Sequence, residues 1–454
     1  MPIESRNPAT GEVIERFDET PLEALGPLAD RAHVAFDAWR KRPLADRVAA
    51  LGEAARRLRA GKEAFARTMA LEMGKPVIEG EAEAEKCALV CDWYAEQGPS
   101  MLEPQPRATD AKESYVRFDP LGVVLAIMPW NFPFWQVFRF AAPALVAGNG
   151  AILKHAPNVS RCALDIEALL RDAGLPSGLF TTVLGGPEHA SVLIESPRVC
   201  AVTLTGSERA GKSVAEQAGR VLKKCVLELG GSDPLIVLAD ADLARAAAVA
   251  AQARLINGGQ SCIAAKRFIV VEAVAERFLE LFVKEMASRK MGDPLSRDTQ
   301  IGPQARLDLR ENLHHQVEES VKLGAKALLG GTVPTGPGYF YPPTVLAAVQ
   351  DGMPAFTEET FGPVASVIVA KDEATAIAIA NATEYGLGAS LWTQNRDRAK
   401  ELAAQLEVGA VFVNGMVKSD PRLPFGGVKK SGYGRELAEF GLREFTNIKS
   451  VWLG

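Results

Sequence analysis

The chain has 454 residues, 47% hydrophobic and 24% charged, with a formal net charge of −5. This is a globular composition, and at ~150 residues per domain the length implies two or three domains. The acidic balance excludes a general basic footprint for nucleic acid or an anionic membrane surface. The opening MPIESRNPATGEVIERF has no basic segment leading into an apolar one, so no signal peptide and a cytoplasmic location are expected.

Residues 21–40 repeat Leu22, Leu25, Leu28, Ala32, Phe36 and Trp39 at helical spacing, and 44–73 and 76–97 continue the pattern. Cys87 and Cys91 stand four apart on the last of these and read as a packed stripe, not a redox pair. The six cysteines form no CxxC pair, and adjacent His314–His315 diverge on a helix, so no metal site is expected. The most apolar stretch, 121–154, is interrupted by Pro129, Asn131, Pro133, Gln136, Arg139 and Pro143. It reads as strand, loop, helix and strand, not as a membrane span.

From about residue 120 short apolar runs alternate with helical patterns: VVLAIM (123–128), AILK (151–154), FTTVL (180–184), AVTLT (201–205), VLEL (226–229) and LIVL (235–238). A second series is FIVV (268–271), VASVIVA (364–370), ASLWT (389–393) and AVFVN (410–414). The alternation predicts an α/β fold with parallel sheets in two units. No strand is followed by GxGxxG. The turn Gly206–Ser207 opens a helix after AVTLT and offers free backbone N–H groups to a phosphate.

Four stretches carry complementary chemistry. NGGQSCIAAKRF (257–268) places Cys262 in a loop of small residues. MPWNFPFW (128–135) places Asn131 between two prolines, LELGGSDP (227–234) places Glu228 in an apolar strand, and EETFGPV (358–364) places Glu358 and Glu359 before a turn. A thiolate attacks a carbonyl, an amide donates to the oxyanion, and a carboxylate activates water for the thioester left after hydride loss.

These stretches, with NPATGEV and PFGGVKKSGYGRE (424–436), resemble the NAD(P)-dependent aldehyde dehydrogenases from about residue 5 onward. MPWNFPFWQVFRFA and KKCVLELGGSDP are most similar to the short bacterial succinate-semialdehyde dehydrogenases. The resemblance implies a Rossmann-like cofactor domain (1–102 and 121–230), an α/β catalytic domain (231–432) and a small β oligomerisation arm (103–120 and 433–454). It makes Cys262 the nucleophile, Glu228 the base and Asn131 the oxyanion donor. Trp130, Lys154, Gly206, Ser207, Glu359 and Phe361 would bind the cofactor. Phe132, Trp135 and Phe425 would line an apolar substrate tunnel, with Ser261 and Ser419 as hydrogen-bonding groups. It also implies a dimer or tetramer of identical chains.

Pro157 stands where many NAD-preferring relatives carry a glutamate that binds the ribose and repels a 2′-phosphate. NAD or NADP is therefore expected, with a slight preference for NAD. Arg139, the single charge on an apolar helix, has two readings: a structural ion pair, or a fork for the distal carboxylate of succinate semialdehyde. The resemblance favours the second. Glutarate semialdehyde or a sugar-derived aldehyde, thioester transfer to CoA, and a catalytically idle scaffold are the alternatives; retention of Cys262 and Glu228 argues against the last two.

Overall fold

The short apolar runs form two largely parallel sheets in the computed structural model, which describes residues 2–454. The first runs in the spatial order Gly432–Tyr433, Lys224–Glu228, Val199–Thr205, Val123–Met128, Gly150–His155 and Phe180–Val183. All its neighbours are parallel except the first pair. Gly150–His155 is buried along its whole length and Val123–Met128 almost so. Helices cover both faces of such a sheet, which is why its strands read as unbroken apolar runs.

The second sheet is ordered Lys326–Leu329, Thr344–Ala347, Val364–Ala370, Arg267–Val271, Pro234–Val237, Gly388–Trp392 and Ala410–Val413. LIVL, grouped in sequence with the first series, belongs here: Leu235 pairs with Phe268 on one side and Ser390 on the other. The chain leaves the first sheet after Glu228 and enters the second at Pro234, with Gly230–Gly231 between. A four-residue apolar run carries no mark of which sheet it will join.

The helical N-terminal part is also present, with 44–73 divided at Gly61 into Leu44–Ala60 and Lys62–Met73. The hairpin Ile3–Arg6/Val13–Phe17 and the strands Lys326–Leu329 and Thr344–Ala347 were not read from sequence. Gln105–Pro106, Glu113–Pro120 and Thr446–Leu453 build a separate three-stranded antiparallel sheet whose register runs from Thr446↔Pro120 to Leu453↔Glu113. The segment from Tyr433 to Glu436, grouped in sequence with the arm, lies instead at the edge of the first sheet and beside Arg139. No helix among the described residues is long and apolar enough to cross a membrane.

One buried charge positions the loop after Val123–Met128. The carboxylate of Glu83, on the helix Val77–Met101, accepts from the backbone N–H groups of Phe134 and Trp135, both at 2.9 Å, and pairs with Lys75. It therefore caps the helix Trp135–Ala147 from outside its own sequence. The Lys75 ammonium lies 3.9 Å from the centre of the Phe132 ring. Lys75→Met strands the Glu83 charge and is expected to cost about 3–5 kcal/mol. Urea unfolding followed by tryptophan fluorescence checks this, and Lys75→Met/Glu83→Gln is expected to recover part of the loss.

Candidate active site

The nucleophile loop follows the helix Leu243–Leu255. Asn257, Gly258 and Gly259 adopt positive φ of 54°, 61° and 75°, a left-handed run that turns the chain sharply. Three groups hold the turn. Arg254 Nη2 donates to the Gly259 carbonyl at 2.6 Å, Asn131 Nδ2 to the Gln260 carbonyl at 3.1 Å, and Asn257 Nδ2 to the Asn131 carbonyl at 2.7 Å. Beyond it the Lys266 ammonium donates to the carbonyls of Ser261, Cys262 and Ala264 at 3.1, 2.8 and 3.2 Å. Cys262 is half-buried. Burial pushes its thiol up to about 12, against the pull of Arg139 and Lys266.

Glu228, at the end of its strand, is 2% exposed and neither carboxylate oxygen has a hydrogen-bond partner among the described residues. Burial and then the neighbouring Glu436 carboxylate raise it well above the usual range, opposed by Arg139 and Arg435. Its environment therefore disfavours the charged form. Arg139 is 2% exposed, ion-paired with Glu436, bonded through Nη2 to Thr205 Oγ1 at 3.2 Å, and 4.5 Å from the Phe425 ring centre. The structure shows the ion pair of its two readings: a guanidinium this deep needs a matching charge. The Phe425 ring covers Arg139. Glu436 sat inside a quoted motif without a role, because nothing local links it to Arg139.

On the other side of the loop, Ser207 caps the helix Glu208–Arg220, its hydroxyl accepting from the Ala210 N–H at 3.3 Å. A groove of about 440 Å³ is lined there by Ser207, Arg209, Lys212, Gly230, Glu359 and Tyr385. Glu359 accepts from the Gly231 N–H at 3.0 Å and lies 3.5 Å from Lys266. Gly206 donates to the Glu228 carbonyl at 2.9 Å, and Trp130 meets Phe361 edge-on at 5.8 Å. Lys154 closes its strand, buried and without an ion pair among the described residues; burial lowers its ammonium and Glu188 opposes this. Pro157 opens a short turn, and Ser160, buried, gives its hydroxyl to the Pro157 carbonyl at 2.8 Å.

A second cleft, of about 760 Å³, is lined by Phe132, Trp135, Lys86, Glu79, Ile256 and Ile301 among others. Neither Ser261 nor Phe425 lines it. Ser419 reaches its edge by accepting a hydrogen bond from Lys86 Nζ at 2.7 Å. Lys86 was passed over in the sequence because it is one charge among many on a helical face.

The chain matches the aldehyde dehydrogenase family over residues 1–451, and it belongs to that family. It is 49% identical to the NAD(P)+ succinate semialdehyde dehydrogenase Sad of Escherichia coli (strain K12), covering 99% of this chain and 97% of that protein. It is also 49% identical to a probable NADP+ succinate-semialdehyde dehydrogenase of Synechocystis sp., covering 100% of both. The crystal structure of a Streptococcus pyogenes succinic semialdehyde dehydrogenase in complex with NADP+ superposes with a TM-score of 0.97 at 38% identity over 99% of each chain. The fold is thus that of the aldehyde dehydrogenases, and the protein is an NAD(P)-dependent oxidoreductase acting on an aldehyde. The cofactors named for these relatives give no support to the slight preference for NAD.

Gly259 tests the loop. A Cβ there would run into the Gly362 carbonyl besides requiring φ of 75°, so Gly259→Ala is expected to lower turnover on the order of 100-fold with an unchanged circular-dichroism spectrum. The thiol makes a second test. With Cys262 pushed up to about 12, its alkylation by iodoacetamide is expected to rise about tenfold per pH unit from pH 7 to 9. Peptide mass spectrometry at Cys262 reads this, and a plateau below pH 9 would contradict it.

Proposed function

We propose that this chain oxidises succinate semialdehyde to succinate, with Cys262 as nucleophile, Asn131 as oxyanion donor and Glu228 as base. What supports this is one arrangement: a half-buried thiol on a loop tied to the Asn131 amide, with Arg139 acting on both the thiol and the Glu228 carboxyl. The full-length likeness to succinate-semialdehyde dehydrogenases supports the substrate.

The residues of the groove suit a nicotinamide dinucleotide. The unpaired Lys154 ammonium would meet a ribose hydroxyl, the capped helix end at Ser207 the diphosphate, and Glu359 the second ribose, with Trp130 and Phe361 packing beside it. When bound, the nicotinamide ring is the hydride acceptor. Pro157 places no carboxylate against a 2′-phosphate and Ser160 is committed to the backbone, so both NAD and NADP are accepted, NADP included on the strength of Lys154.

The sulfur attacks the aldehyde carbon as its proton passes to a solvent water. The carbonyl pair moves to the oxygen, which the second Asn131 N–H receives, the first being held by Gln260. Loss of hydride leaves a thioester on Cys262. Glu228, once ionised, takes a proton from water as the water's oxygen attacks; the carbon–sulfur bond breaks, releasing the acid and the thiolate. Arg139 is the cation that both groups share, and Glu436 balances its charge. The strands Glu113–Pro120 and Thr446–Leu453 present exposed Ile448, Trp452 and Leu453 and serve as the arm that joins identical chains.

Purified protein is expected to form reduced nicotinamide cofactor with succinate semialdehyde, with NAD and with NADP. Cys262→Ala abolishes turnover. Glu228→Gln gives one burst equivalent of reduced cofactor followed by turnover slowed about 10²–10⁴-fold. Because burial raises Glu228, steady-state turnover of the native enzyme rises with pH wherever deacylation limits. A Glu228→Gln enzyme turning over at the native rate would remove that residue from the role.

A further inference from the structure

Asn257 stands where three lines of hydrogen bonding meet. It is 1% exposed and holds φ 54° and ψ 37° between the helix Leu243–Leu255 and the nucleophile loop. Its side-chain Nδ2 donates to the Asn131 carbonyl at 2.7 Å and to the Gln260 carbonyl at 3.1 Å. Asn131 Nδ2 donates to that same Gln260 carbonyl. The placement of Asn257 therefore fixes where the Asn131 amide lies relative to the loop that carries Cys262. The left-handed turn takes the Asn257 N–H out of the helix, and a buried N–H without an acceptor is costly. Its acceptor is Glu79 Oε2 at 2.9 Å, on a side chain 178 residues earlier in the chain.

Glu79 and Glu83 lie one turn apart on the helix Val77–Met101. Glu79 takes an N–H of the nucleophile loop, and Glu83 takes those of Phe134 and Trp135, just beyond Asn131. The Asn257–Asn131 hydrogen bond joins the two loops to each other. Helix, nucleophile loop and oxyanion loop thus form a closed ring, in which one helix face sets the spacing of two loops. Glu83 has an ion pair with Lys75, whereas Glu79 has none among the described residues. Burial raises the Glu79 carboxyl to about 7, Lys75 and the Asn257 N–H opposing this and Glu83 adding to it. Charge pairing does not explain a carboxyl kept here against its own solvation. What it gives the loop is a charge-assisted hydrogen bond, shorter and stronger than a neutral acceptor makes.

We propose that Glu79 is a positioning residue for the acylation half of the reaction: through Asn257 it aims the free Asn131 N–H at the oxyanion. This rests on the roles of Cys262 and Asn131 proposed above. Glu79 acts through two hydrogen bonds in series, so its loss tilts the amide without removing it. The effect falls on the rate of the first hydride transfer and not on the affinity for the aldehyde.

The test is a double-mutant cycle read in the burst of reduced cofactor, with succinate semialdehyde and saturating cofactor. It compares the native enzyme, Glu79→Ala, Asn131→Ala and the double variant. Asn131→Ala is expected to slow the burst about 10²–10³-fold. Glu79→Ala is expected to slow it about 10- to 100-fold. The aldehyde concentration giving half the maximal burst rate stays within about twofold of native in Glu79→Ala. In the Asn131→Ala background the same change costs less than about twofold, because the amide it aims is gone. Glu79→Gln, which keeps an acceptor oxygen, recovers most of the burst rate. A native burst in Glu79→Ala, or a loss of equal factor in both backgrounds, overturns the role of Glu79 and leaves that of Asn131 standing. A native burst in Asn131→Ala removes the oxyanion donor itself, and this inference falls with it. Native enzyme inert toward succinate semialdehyde overturns the substrate reading alone; the cycle run with butanal, a neutral four-carbon aldehyde, then decides Glu79 by the same outcomes. Should Glu79→Ala fail to fold, Glu79→Asp, which keeps the charge but falls a methylene short of the N–H, takes its place in the cycle.

Discussion

The Lys266 ammonium is the interaction on which the site depends. It is 1% exposed and donates to three carbonyls of the loop that carries Cys262, with Glu359 3.5 Å away and Asp233 also balancing its charge. Hydrogen bonds to a charged group are worth about 1.5–3 kcal/mol each, while removing an ammonium from water costs several. The two nearly cancel, so Lys266 contributes little net stability. What it supplies is geometry. Three carbonyls converging on one point fix the backbone from Ser261 to Ala264, and with it the direction of the thiol. Because Glu359 also accepts from the Gly231 N–H, the same ammonium ties the nucleophile loop to the groove at Gly230–Gly231. Binding on one side of the loop and chemistry on the other share one fixed support.

Around that support the charges are arranged in deficit. Two buried carboxyls, Glu228 and Glu436, share the guanidinium of Arg139, with Arg435 acting more weakly on Glu228. Only one of the two can be ionised at low cost, and the ion pair assigns the charge to Glu436. Glu228 is left without hydrogen bonds and with its charged form disfavoured. A base whose charged form is disfavoured competes less with the aldehyde for the oxyanion donor and pushes the thiol up less. The resting site therefore separates the two halves of the reaction by protonation state, using distances fixed by the fold.

Residues whose role is local were legible in the sequence. Cys262 among small residues, Asn131 between prolines and Glu228 in an apolar strand each stand out from their neighbours, and the structure places them on the expected loop, loop and strand. Most central strand spans were legible too, because a strand buried on both faces is an unbroken apolar run, although the four-residue Thr344–Ala347 was not read. What could not be read was pairing between distant segments. Arg139 on its helix is equally compatible with a substrate and with a partner, and the partner, Glu436, follows almost the whole remainder of the chain. Pro234–Val237 shows no preference for either sheet until Arg267–Val271 and Gly388–Trp392 flank it. Glu79 was invisible for the opposite reason: its helix is rich in charge, and only the N–H it meets in space distinguishes it.

The segment Gly432–Glu436 gives the fold a particular order in time. It pairs with Lys224–Glu228 to close one edge of the first sheet and supplies the carboxylate for Arg139. Synthesis runs from the N-terminus and domains fold as they emerge. The other five strands of that sheet are complete at Glu228, long before this segment is made. Throughout synthesis of the entire second sheet the nascent chain therefore carries an open strand edge and a guanidinium without its countercharge. An open edge is a template for pairing with another chain. Emergence of this segment thus completes the reaction centre and closes that strand edge in one step.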